Sequence, residues 1–260
     1  MISVLSVNYH AADDLRRLAD SLRQHKGDAR IELIVCNNSR DEPIESETSP
    51  ELPITVLEDE NIGFGAGINR AFRASRGETI FIANPDVRVT AGALAAGAAY
   101  LASNADVGIA LPLLRYPDGA IQPSVRRFYT WPVVFYARSP VRGLAITPQF
   151  FRDYLCEGID RSAPSDVDWG LGAAMFLRRA DIPADGPFDD RFFLYFEDVD
   201  LCLRTWASGR RVVYCPQIEC VHAHRRASSR ALSSAGWRHF QSLWRFVGKH
   251  RGLPKRPSAP

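Results

Sequence analysis

Several side chains able to bind a metal ion or move a proton follow predicted strands. The run beginning at Thr79 is apolar and β-branched, as expected for a strand buried on both faces, and it breaks at Asn84-Pro85-Asp86. Because ligands of open α/β sheets bind at the carboxyl ends of the strands, Asp86 is a candidate for binding a metal ion or a phosphate group. All three residue types also favour turns, so a plain turn is the alternative.

A pair of acids follows a run of bulky apolar residues, Phe192 to Phe196. Apolar residues at helical spacing continue from there to Gly209, so Glu197 and Asp198 are predicted to begin a helix, where the helix dipole favours ionised carboxylates. Helix capping is an alternative role for Asp198. Capping does not account for the aromatic residues before the acids, which we expect to form one wall of a pocket.

His222 is predicted to end an extended segment, on the same side of the chain as Cys220 and His224. Together with Cys215 these residues suggest a zinc site, but their spacing fits no structural zinc pattern well. A lone histidine at a strand end is more often an ordinary core or surface residue. The neighbours of His222 in the fold therefore decide its role.

Alternating strands and helices predict a mostly parallel, doubly wound sheet in the first half of the chain. Apolar, β-branched runs predict strands at residues 2–8, 31–36, 54–57 and from 79 onwards. Helical periodicity predicts helices at residues 13–25, from the glycine-rich stretch to about 76, and at 91–103. Residues 112–166 are expected to be a long connection, and residues 167–177 a strand beneath a ligand.

The glycines at 63, 65 and 67 raise the question of a dinucleotide site. Their spacing does not satisfy Gly-x-Gly-x-x-Gly, and the preceding Asn61-Ile62 is foreign to that fingerprint. We therefore expect no Rossmann-type cofactor there. A tight turn that leads into a helix and brings backbone close to a nucleotide remains compatible with the pattern.

Length and composition favour a globular protein. The 260 residues suffice for one large α/β domain, or for a domain with an appended lobe. No apolar run approaches the ~20 residues that span a bilayer, and the amino terminus lacks a signal-peptide charge pattern, so a cytoplasmic location is expected. The five cysteines include no Cys-x-x-Cys pair and are expected to be reduced thiols.

The last part of the chain is strongly basic. Residues 204–260 hold 12 Lys or Arg residues and one acid, Glu219, which suits an anionic membrane, a nucleic acid or the phosphates of a small ligand. No aromatic-basic nucleic-acid-binding module accompanies it, so nucleic-acid binding is not expected. A terminal helix, packed on the core or lying on a membrane, is predicted by an apolar stripe at helical spacing: Trp237, Phe240, Leu243, Trp244 and Val247.

Taken in order, a set of short motifs resembles the family 2 glycosyltransferases of the GT-A fold, and among them the bacterial rhamnosyltransferase-like members. The resemblance implies a Rossmann-like, mostly parallel central sheet flanked by helices, with an acceptor-binding portion and a terminal helix behind it. It covers the chain from residue 2 to about 230. The motifs are Val7-Asn8-Tyr9, Asn61-x-Gly63-Phe64-x-x-Gly67-x-Asn69, Asn84-Pro85-Asp86, Pro117-Asp118-Gly119, Asp168-Trp169 with Gly172-Ala173, Phe192 through Leu201, and Val221-His222.

The resemblance implies that residues 1–111 bind a nucleotide sugar, a dTDP- or UDP-sugar. Asn84-Pro85-Asp86 takes the place of the family's Asp-x-Asp motif, so Asp86 and His222 are implied to bind Mg²⁺ or Mn²⁺. A basic loop that includes Ser228 and Ser229 is implied to close over the diphosphate. The implied donor-binding residues are Val7, Asn8, Asn37, Asn61, Gly63, Asn69, Asn84, Asp86, Arg225 and Arg230.

Residues 112–230 are implied to be the acceptor-binding and catalytic half of the same domain, followed by a basic helix and tail at 231–260. By resemblance, Asp198 removes the proton of the acceptor hydroxyl in an inverting displacement, and Glu197 orients that base or the acceptor. Trp169, with Gly172 and Ala173, is implied to contact the acceptor sugar.

The sequence departs from the family pattern at two positions. Asn37 stands where many relatives have an Asp that meets the nucleotide base, and its side-chain carbonyl can still accept a hydrogen bond from a pyrimidine N3–H. Asn84 replaces the first acid of Asp-x-Asp, so a bound metal ion would have fewer negative ligands.

The sequence thus predicts an inverting glycosyltransferase that transfers L-rhamnose or another sugar to a saccharide or lipid-linked acceptor in cell-surface polysaccharide synthesis. A nucleotidyltransferase is an alternative, although the Gly-rich, Lys-containing loop expected near the first strand is absent from the sequence. A non-catalytic carbohydrate- or membrane-binding module is another. The sequence leaves two further possibilities open. One is peripheral contact with the inner face of the membrane through the basic terminal helix, and the other is a homodimer.

Overall fold

The computed structural model describes residues 1–44, 48–139, 147–223 and 234–256. Its strands are β1 (Ile2–Asn8), β2 (Ile31–Asn37), β3 (Ile54–Glu58), β4 (Thr79–Ala83), β5 (Val87–Val89), β6 (Val107–Arg115), β7 (Val125–Arg126), β8 (Ser165–Asp166), β9 (Trp169–Gly170), β10 (Ala174–Arg178) and β11 (Arg211–His222). Its helices are α1 (Ala12–His25), α2 (Phe64–Ala74), α3 (Ala93–Ser103), α4 (Trp131–Arg138), α5 (Gln149–Tyr154), α6 (Glu197–Ala207) and α7 (Ser234–His250).

A mostly parallel sheet forms the centre, with strand order β3-β2-β1-β4-β10-β6-β11-β5 and β8 beside β11. The first four strands pair in parallel, as do β6 and β11. β10 runs against its neighbours β4 and β6, and β5 and β8 run against β11. The mostly parallel α/β sheet expected from the sequence is therefore confirmed.

Helices cover both faces of this sheet, which accounts for the nearly continuous apolar runs in its central strands. On one face, Leu15 of α1 and Leu94 of α3 pack in one apolar cluster. On the other face, Ile68 of α2, Val199 of α6 and Phe246 of α7 pack in a second cluster. All five cysteines are free and buried. Within the described ranges, no helix is both long and apolar enough to cross a membrane.

The long connection expected at 112–166 is wrong in part, because the described residues there include the end of β6 as well as β7, α4, α5 and β8. Pro112 obscured β6, since proline removes a backbone donor and argues against a central strand. The strand tolerates it because Pro112 pairs with Cys215, where the register of β11 shifts. The boundary expected at residue 111 falls within β6.

Two further expectations change at the carboxyl end of the sheet. The extended segment expected to end at His222 is the last part of a longer strand, β11, which has an irregularity between Cys215 and Glu219. The single strand expected at 167–177 is split into β9 and β10 by a turn at 171–173. That turn places Gly172 and Ala173 beside the end of β4, since Ala174 pairs with Ala83.

A buried carboxylate fixes α7 to α6. Asp200 is fully buried; its Oδ1 accepts from Lys249 Nζ at 2.6 Å and lies 2.7 Å from His250 Nε2, and its Oδ2 accepts from Arg204 Nε at 2.8 Å. Although burial raises the pKa of Asp200, its hydrogen bonds with Lys249, Arg204 and His250 hold that pKa below its ordinary value. One face of α7 therefore packs on the core.

Replacing Asp200 by Asn should lower the free energy of unfolding by about 3 kcal/mol, because it removes the negative charge between cations held in the interior. Urea denaturation measures the effect. The matched control is Asp13→Asn, whose exposed pair with Arg16 should contribute about 0.5 kcal/mol or less. Equal losses in the two variants would contradict the anchoring role of Asp200.

Candidate functional site

Asp86 and His222 meet at the carboxyl edge of the sheet. The residues between β4 and β5 form a turn in which Val87 N–H donates to the Asn84 carbonyl at 3.1 Å. β5 then pairs with the end of β11, Val87 opposite His222. As a result Asp86 Oδ1 lies 3.2 Å from His222 Nε2. The turn interpretation of Asn84-Pro85-Asp86 and its ligand-binding interpretation are thus compatible.

The hydrogen bond between His222 Nδ1 and Gln122 makes the Asp86–His222 pair suitable for binding a cation. His222 Nδ1 lies 2.8 Å from the Gln122 amide oxygen, so Nδ1–H donates to that oxygen and Nε2 faces the Asp86 carboxylate. Two lone-pair-bearing atoms this close are stabilised by a cation between them, either a proton or a metal ion. Gln122 has the orienting role typical of groups that support a metal-binding imidazole.

A carboxylate oxygen and an imidazole nitrogen fit a divalent ion such as Mn²⁺ or Mg²⁺. Among the described residues, no three His, Cys, Asp or Glu side chains group as a metal site, so other ligands would have to come from a substrate or water. The zinc hypothesis gains no support. Burial raises the pKa of both Cys215 and Cys220 to about 12, which leaves them as protonated thiols, and His224 lies outside the described residues.

A cleft of about 450 Å³ adjoins this pair. Five of the donor-binding residues expected from the sequence line it: Val7, Asn61, Gly63, Asn84 and Asp86. Its other lining residues are Tyr9, His10, Ala11, Asp14, Asn38, Phe64, Pro85, Phe193, Leu194 and Arg238. The cleft therefore joins the loops after β1, β2 and β4 to the segment before α6 and to the first turns of α7.

Gly63 shapes one wall of this cleft by a very close backbone approach. Its φ is +91°, and a Cβ at this position would lie 2.4 Å from the carbonyl oxygen of Phe193. The next residue, Phe64, donates its N–H to that same oxygen at 2.9 Å. Glycine is required here because any side chain would push the two segments apart.

Three expected donor-binding residues lie behind the cleft rather than on its surface. Asn8 and Asn37 are fully buried; Asn8 Nδ2 donates to Asn37 Oδ1 at 3.0 Å, and Asn37 Nδ2 donates to Glu58 Oε2 at 2.9 Å. Asn69 exchanges two hydrogen bonds with the backbone of Phe188, at 2.7 and 2.9 Å. These side-chain amides therefore hold β1, β2 and α2 against neighbouring segments of the fold.

Sequence reasoning missed several polar residues of the cleft, among them Asn38 and Arg238. Asn38 Nδ2 donates to the Gly63 carbonyl at 3.1 Å, and the guanidinium of Arg238 lies 4.7 Å from the centre of the Phe193 ring. The only signal for Arg238 was its place in the basic segment. Arg225 and Arg230, with Ser228 and Ser229, lie outside the described residues, so Arg238 is the cation that the described part of the chain offers to this cleft.

The helix start expected at Glu197 is present, and its backbone is strained. Tyr195 and Phe196 both adopt left-handed conformations, with φ of 69° and 70°. Such a conformation costs a bulky residue about 1–2 kcal/mol and persists only where surrounding contacts enforce it. Phe196 supplies those contacts: it is buried, and its ring centre lies 5.2 Å from that of Tyr129 and 5.5 Å from that of Phe246.

The two acids at this helix start differ in protonation. Burial raises the pKa of Asp198 to about 6, although N–H groups of Gly172 at 3.1 Å and Val199 at 2.8 Å favour its ionised form. Glu197 is 5% exposed, and within the described residues its Oε2 has no hydrogen-bond partner. Burial and the Asp198 charge raise the pKa of Glu197 well above its ordinary value, so Asp198 ionises first.

Two consecutive residues, Gly172 and Ala173, link Asp198 to the turn that contains Asp86. Gly172 N–H donates to Asp198 Oδ2, and the carbonyl of Ala173 accepts from Asn84 N–H at 2.8 Å. A methyl group on Gly172 would lie 3.5 Å from both Asp198 Cβ and Phe64 Cε1, so this backbone passes close to both walls. Two expected acceptor-binding residues therefore position the candidate base and the candidate metal ligand.

The expected role of Trp169 as a platform for an acceptor sugar does not match its position. The side chain is buried, its Nε1–H donates to the Arg127 carbonyl at 2.8 Å, and its ring stacks on Tyr129 at 5.6 Å between centres. A buried indole normally finds such a partner for its N–H. Trp169 supports the aromatic packing around Phe196 and does not offer an open face.

The sequence profile of Glycosyl transferase family 2 matches residues 3–152. The chain is 27% identical to N-acetylglucosaminyl-diphospho-decaprenol L-rhamnosyltransferase of Mycobacterium tuberculosis, over 99% of this chain and 87% of that protein. Rhamnosyltransferase WbbL of Escherichia coli is 34% identical over 35% of this chain and 34% of its own length.

Solved structures show similarity in fold. The mannosyltransferase PcManGT of Pyrobaculum calidifontis, in complex with GDP-Man and Mn²⁺, superposes with a TM-score of 0.66 at 20% identity, over 98% of this chain and 65% of that one. TarS 1–349 of S. aureus, in complex with UDP-GlcNAc, gives a TM-score of 0.61 at 15% identity, over 95% of this chain and 66% of that one. This chain thus spans about two thirds of each, and the expected GT-A type of fold is confirmed.

The environment of Glu197 makes the stability of the protein depend on pH. The folded protein keeps the Glu197 proton at pH values where the unfolded chain has lost it, so this group lowers stability increasingly as pH rises above its ordinary pKa of 4.5. Glu197→Gln removes that penalty. The stability of the variant relative to wild type should rise from about pH 5 to about pH 8 in urea denaturation.

A matched control is Glu60→Gln, since the Glu60 side chain is 81% exposed. Its stability relative to wild type should not change across the same pH range. A constant difference between Glu197→Gln and wild type at every pH would contradict the assignment of Glu197 as a neutral buried acid.

Proposed function

Because the chain belongs to glycosyl transferase family 2, we propose that it is an inverting enzyme that transfers L-rhamnose from a nucleoside-diphosphate sugar to a saccharide or lipid-linked acceptor. The product would serve cell-surface polysaccharide synthesis. The rhamnose proposal is supported by the names of the two curated relatives, and the lipid-linked acceptor by one of them. Family membership favours glycosyl transfer over the nucleotidyltransferase and the non-catalytic module that the sequence left open.

The observation that carries the proposal is the link between the candidate base and the candidate metal pair. Gly172 binds Asp198, the adjacent Ala173 binds Asn84, and Asp86 lies two residues further on. An acceptor hydroxyl and a donor diphosphate therefore have binding groups on either side of one short backbone segment. Proximity of this kind is a major source of rate in bimolecular reactions.

In the proposed reaction the acceptor oxygen bonds to the anomeric carbon while the bond from that carbon to the diphosphate oxygen breaks. Asp198 takes the hydroxyl proton, and the nucleoside diphosphate leaves with the electron pair. A pKa of about 6 lets Asp198 be ionised at neutral pH yet basic enough to accept the proton. We propose that the neutral Glu197 beside it helps to orient Asp198 or the acceptor.

We propose that the cleft binds the donor, with the diphosphate near Asp86 and Arg238. Asp86 and His222 would hold Mg²⁺ or Mn²⁺, whose chemistry when bound is to neutralise the charge that develops on the leaving diphosphate. The solved mannosyltransferase named above contains Mn²⁺. Arg238 would add a cation that needs no deprotonation to act, and a guanidinium suits phosphate oxygens.

The function is tested by incubating the protein with Mn²⁺ and dTDP-L-rhamnose, then measuring release of dTDP with and without a lipid-linked N-acetylglucosaminyl diphosphate acceptor. UDP- and GDP-sugars serve as competing donors. A donor that binds the folded state alone should also raise the thermal midpoint. If none of these nucleotide sugars shifts the midpoint or is consumed, the proposal is wrong.

Asp198→Asn should reduce transfer by about 10²- to 10⁴-fold, because the amide cannot accept the proton. Donor affinity, measured by calorimetry, should change little. In wild type, transfer should fall about tenfold for each pH unit below about 6, where Asp198 becomes protonated. Transfer by Asp198→Asn at the wild-type rate, or the same pH profile in its residual activity, would remove Asp198 from the role of base.

Asp86→Ala should abolish the dependence of nucleotide binding on Mn²⁺. In wild type, saturating Mn²⁺ should tighten binding of a nucleoside diphosphate by about tenfold or more, which corresponds to ~1.4 kcal/mol. Calorimetric titration with and without Mn²⁺ makes the comparison. Asp20→Asn, a carboxylate on the exposed side of α1, is the control and should keep the full response. An equal Mn²⁺ response in all three proteins would contradict the metal assignment.

A further inference from the structure

A ridge of aromatic side chains on α7 faces away from the core. We name Trp237, Phe240 and Trp244 the α7 ridge; they are 62%, 39% and 52% exposed. The rings contact one another in sequence, with centres 5.8 Å apart from Trp237 to Phe240 and 5.9 Å from Phe240 to Trp244. Contiguous exposed aromatic surface of this kind marks an interaction site more often than scattered single residues do.

The ridge is separate from the face that holds α7 in place. Leu243 and Phe246 are buried in the core, and Lys249 and His250 bind Asp200. The apolar stripe expected from the sequence is therefore divided: Leu243 is buried in the core, whereas the three ridge residues are exposed.

Exposed basic side chains lie on α7 and in the residues directly after it; one of them, Arg245, donates to the Arg191 carbonyl at 2.8 Å. Arg245, Arg251 and Lys255 are exposed, and in the part of the chain that the structure describes none of them has a carboxylate within ion-pair distance. α7 itself contains no Asp or Glu. Of the acids near its anchored face, Asp189 and Asp200 are paired with Lys249, and Asp190 accepts from Asn69 Nδ2 at 2.6 Å. The helix and the residues after it thus combine exposed aromatic rings with an excess of positive charge.

We propose that the α7 ridge docks on an anionic lipid surface, with the aromatic rings at the headgroup level and the basic residues against the lipid phosphates. Tryptophan and phenylalanine opposed to arginine and lysine suit that interface, where amphipathic helices lie in the membrane plane. The proposal goes beyond sugar transfer, and it does not depend on which donor or acceptor the protein uses. Charge complementarity favours lipid over a second copy of the chain, because two such positive surfaces would repel each other.

The same helix reaches the cleft, which gives the docking a consequence for the site. Arg238 follows Trp237 directly, and it lines the cleft while Trp237 is exposed. Docking of the ridge would therefore place the edge of the cleft close to the lipid surface. A substrate carried on a lipid would need to extend only a short distance from the bilayer to reach it.

The test is flotation of the full chain with vesicles, without donor or acceptor, so that its result is independent of any transferase activity. Vesicles of equal parts phosphatidylcholine and phosphatidylglycerol should bind the protein, and vesicles of phosphatidylcholine alone should bind it much less. Raising the salt from about 0.1 M to about 1 M should weaken binding, because the Debye length falls from about 10 Å to about 3 Å.

Trp237→Ala combined with Trp244→Ala should reduce binding to the anionic vesicles by about tenfold or more, since membrane affinity scales with the apolar area inserted. Arg245→Gln with Arg251→Gln should reduce it as well and remove most of the salt dependence. The matched control is Trp131→Ala with Phe135→Ala, a pair on α4 that is 45% and 68% exposed. This control should bind as wild type does. Circular dichroism verifies that each variant is folded.

Three results would overturn the proposal. Equal binding by the ridge variant and wild type would mean that the ridge does not meet the lipid. Equal loss in the α4 control would indicate non-specific adhesion of any exposed aromatic group. A wild-type dimer that the ridge substitutions convert into a monomer, with no vesicle binding in either protein, would assign the ridge to self-association.

Discussion

The contact of the Phe193 carbonyl with the Gly63-Phe64 backbone is the constraint on which the site depends. It brings the segment before α6 against the start of α2, and only a glycine at position 63 allows the approach. The same short segment also receives α7, since Arg238 lies over the Phe193 ring and Ser242 donates to the Leu194 carbonyl at 2.8 Å. One backbone contact thus fixes the candidate donor cleft, the start of α6 and the position of α7 relative to each other.

Three acids on the first turns of α6 illustrate how local surroundings, rather than residue type, decide protonation. Glu197 has burial and a like charge beside it, and its pKa rises. Asp198 is half-buried; desolvation raises its pKa, but two backbone N–H groups limit the rise to about 6. Asp200, the most deeply buried, has cationic partners that lower its pKa. The result along one helix is a neutral acid, a titratable base and a permanent anion that anchors α7. The helix dipole alone would lower the pKa of all three carboxyl groups.

The sequence predicted best what local pattern determines. Strands such as β1 and helices such as α1 follow from apolar periodicity, and the convergence of Asp86 and His222 follows from the rule that ligands meet at strand ends. Prediction failed where contacts between residues far apart in the sequence determine the structure. Pro112 concealed β6 because only the partner strand reveals that its missing N–H is tolerated. Periodicity could not divide the aromatic residues of α7 between core and surface, and no pattern shows that the Trp169 indole is buried against the Arg127 carbonyl.

The composition of the candidate metal pair has its own consequence for how substrates would bind. One carboxylate and one imidazole would supply a hard divalent ion with little charge, and Asn84, which is uncharged, adds none. Calcium- and magnesium-type sites gain affinity from the number of charged oxygen ligands, so two protein ligands favour weak binding of the ion alone. A diphosphate brings further oxygens and negative charge to the same place. The ion and the nucleotide sugar should therefore bind as one unit, each raising the affinity for the other by the same factor. Gln122 would act on that joint ligand by fixing the imidazole, and Arg238 would act on it from α7, which lies much later in the sequence.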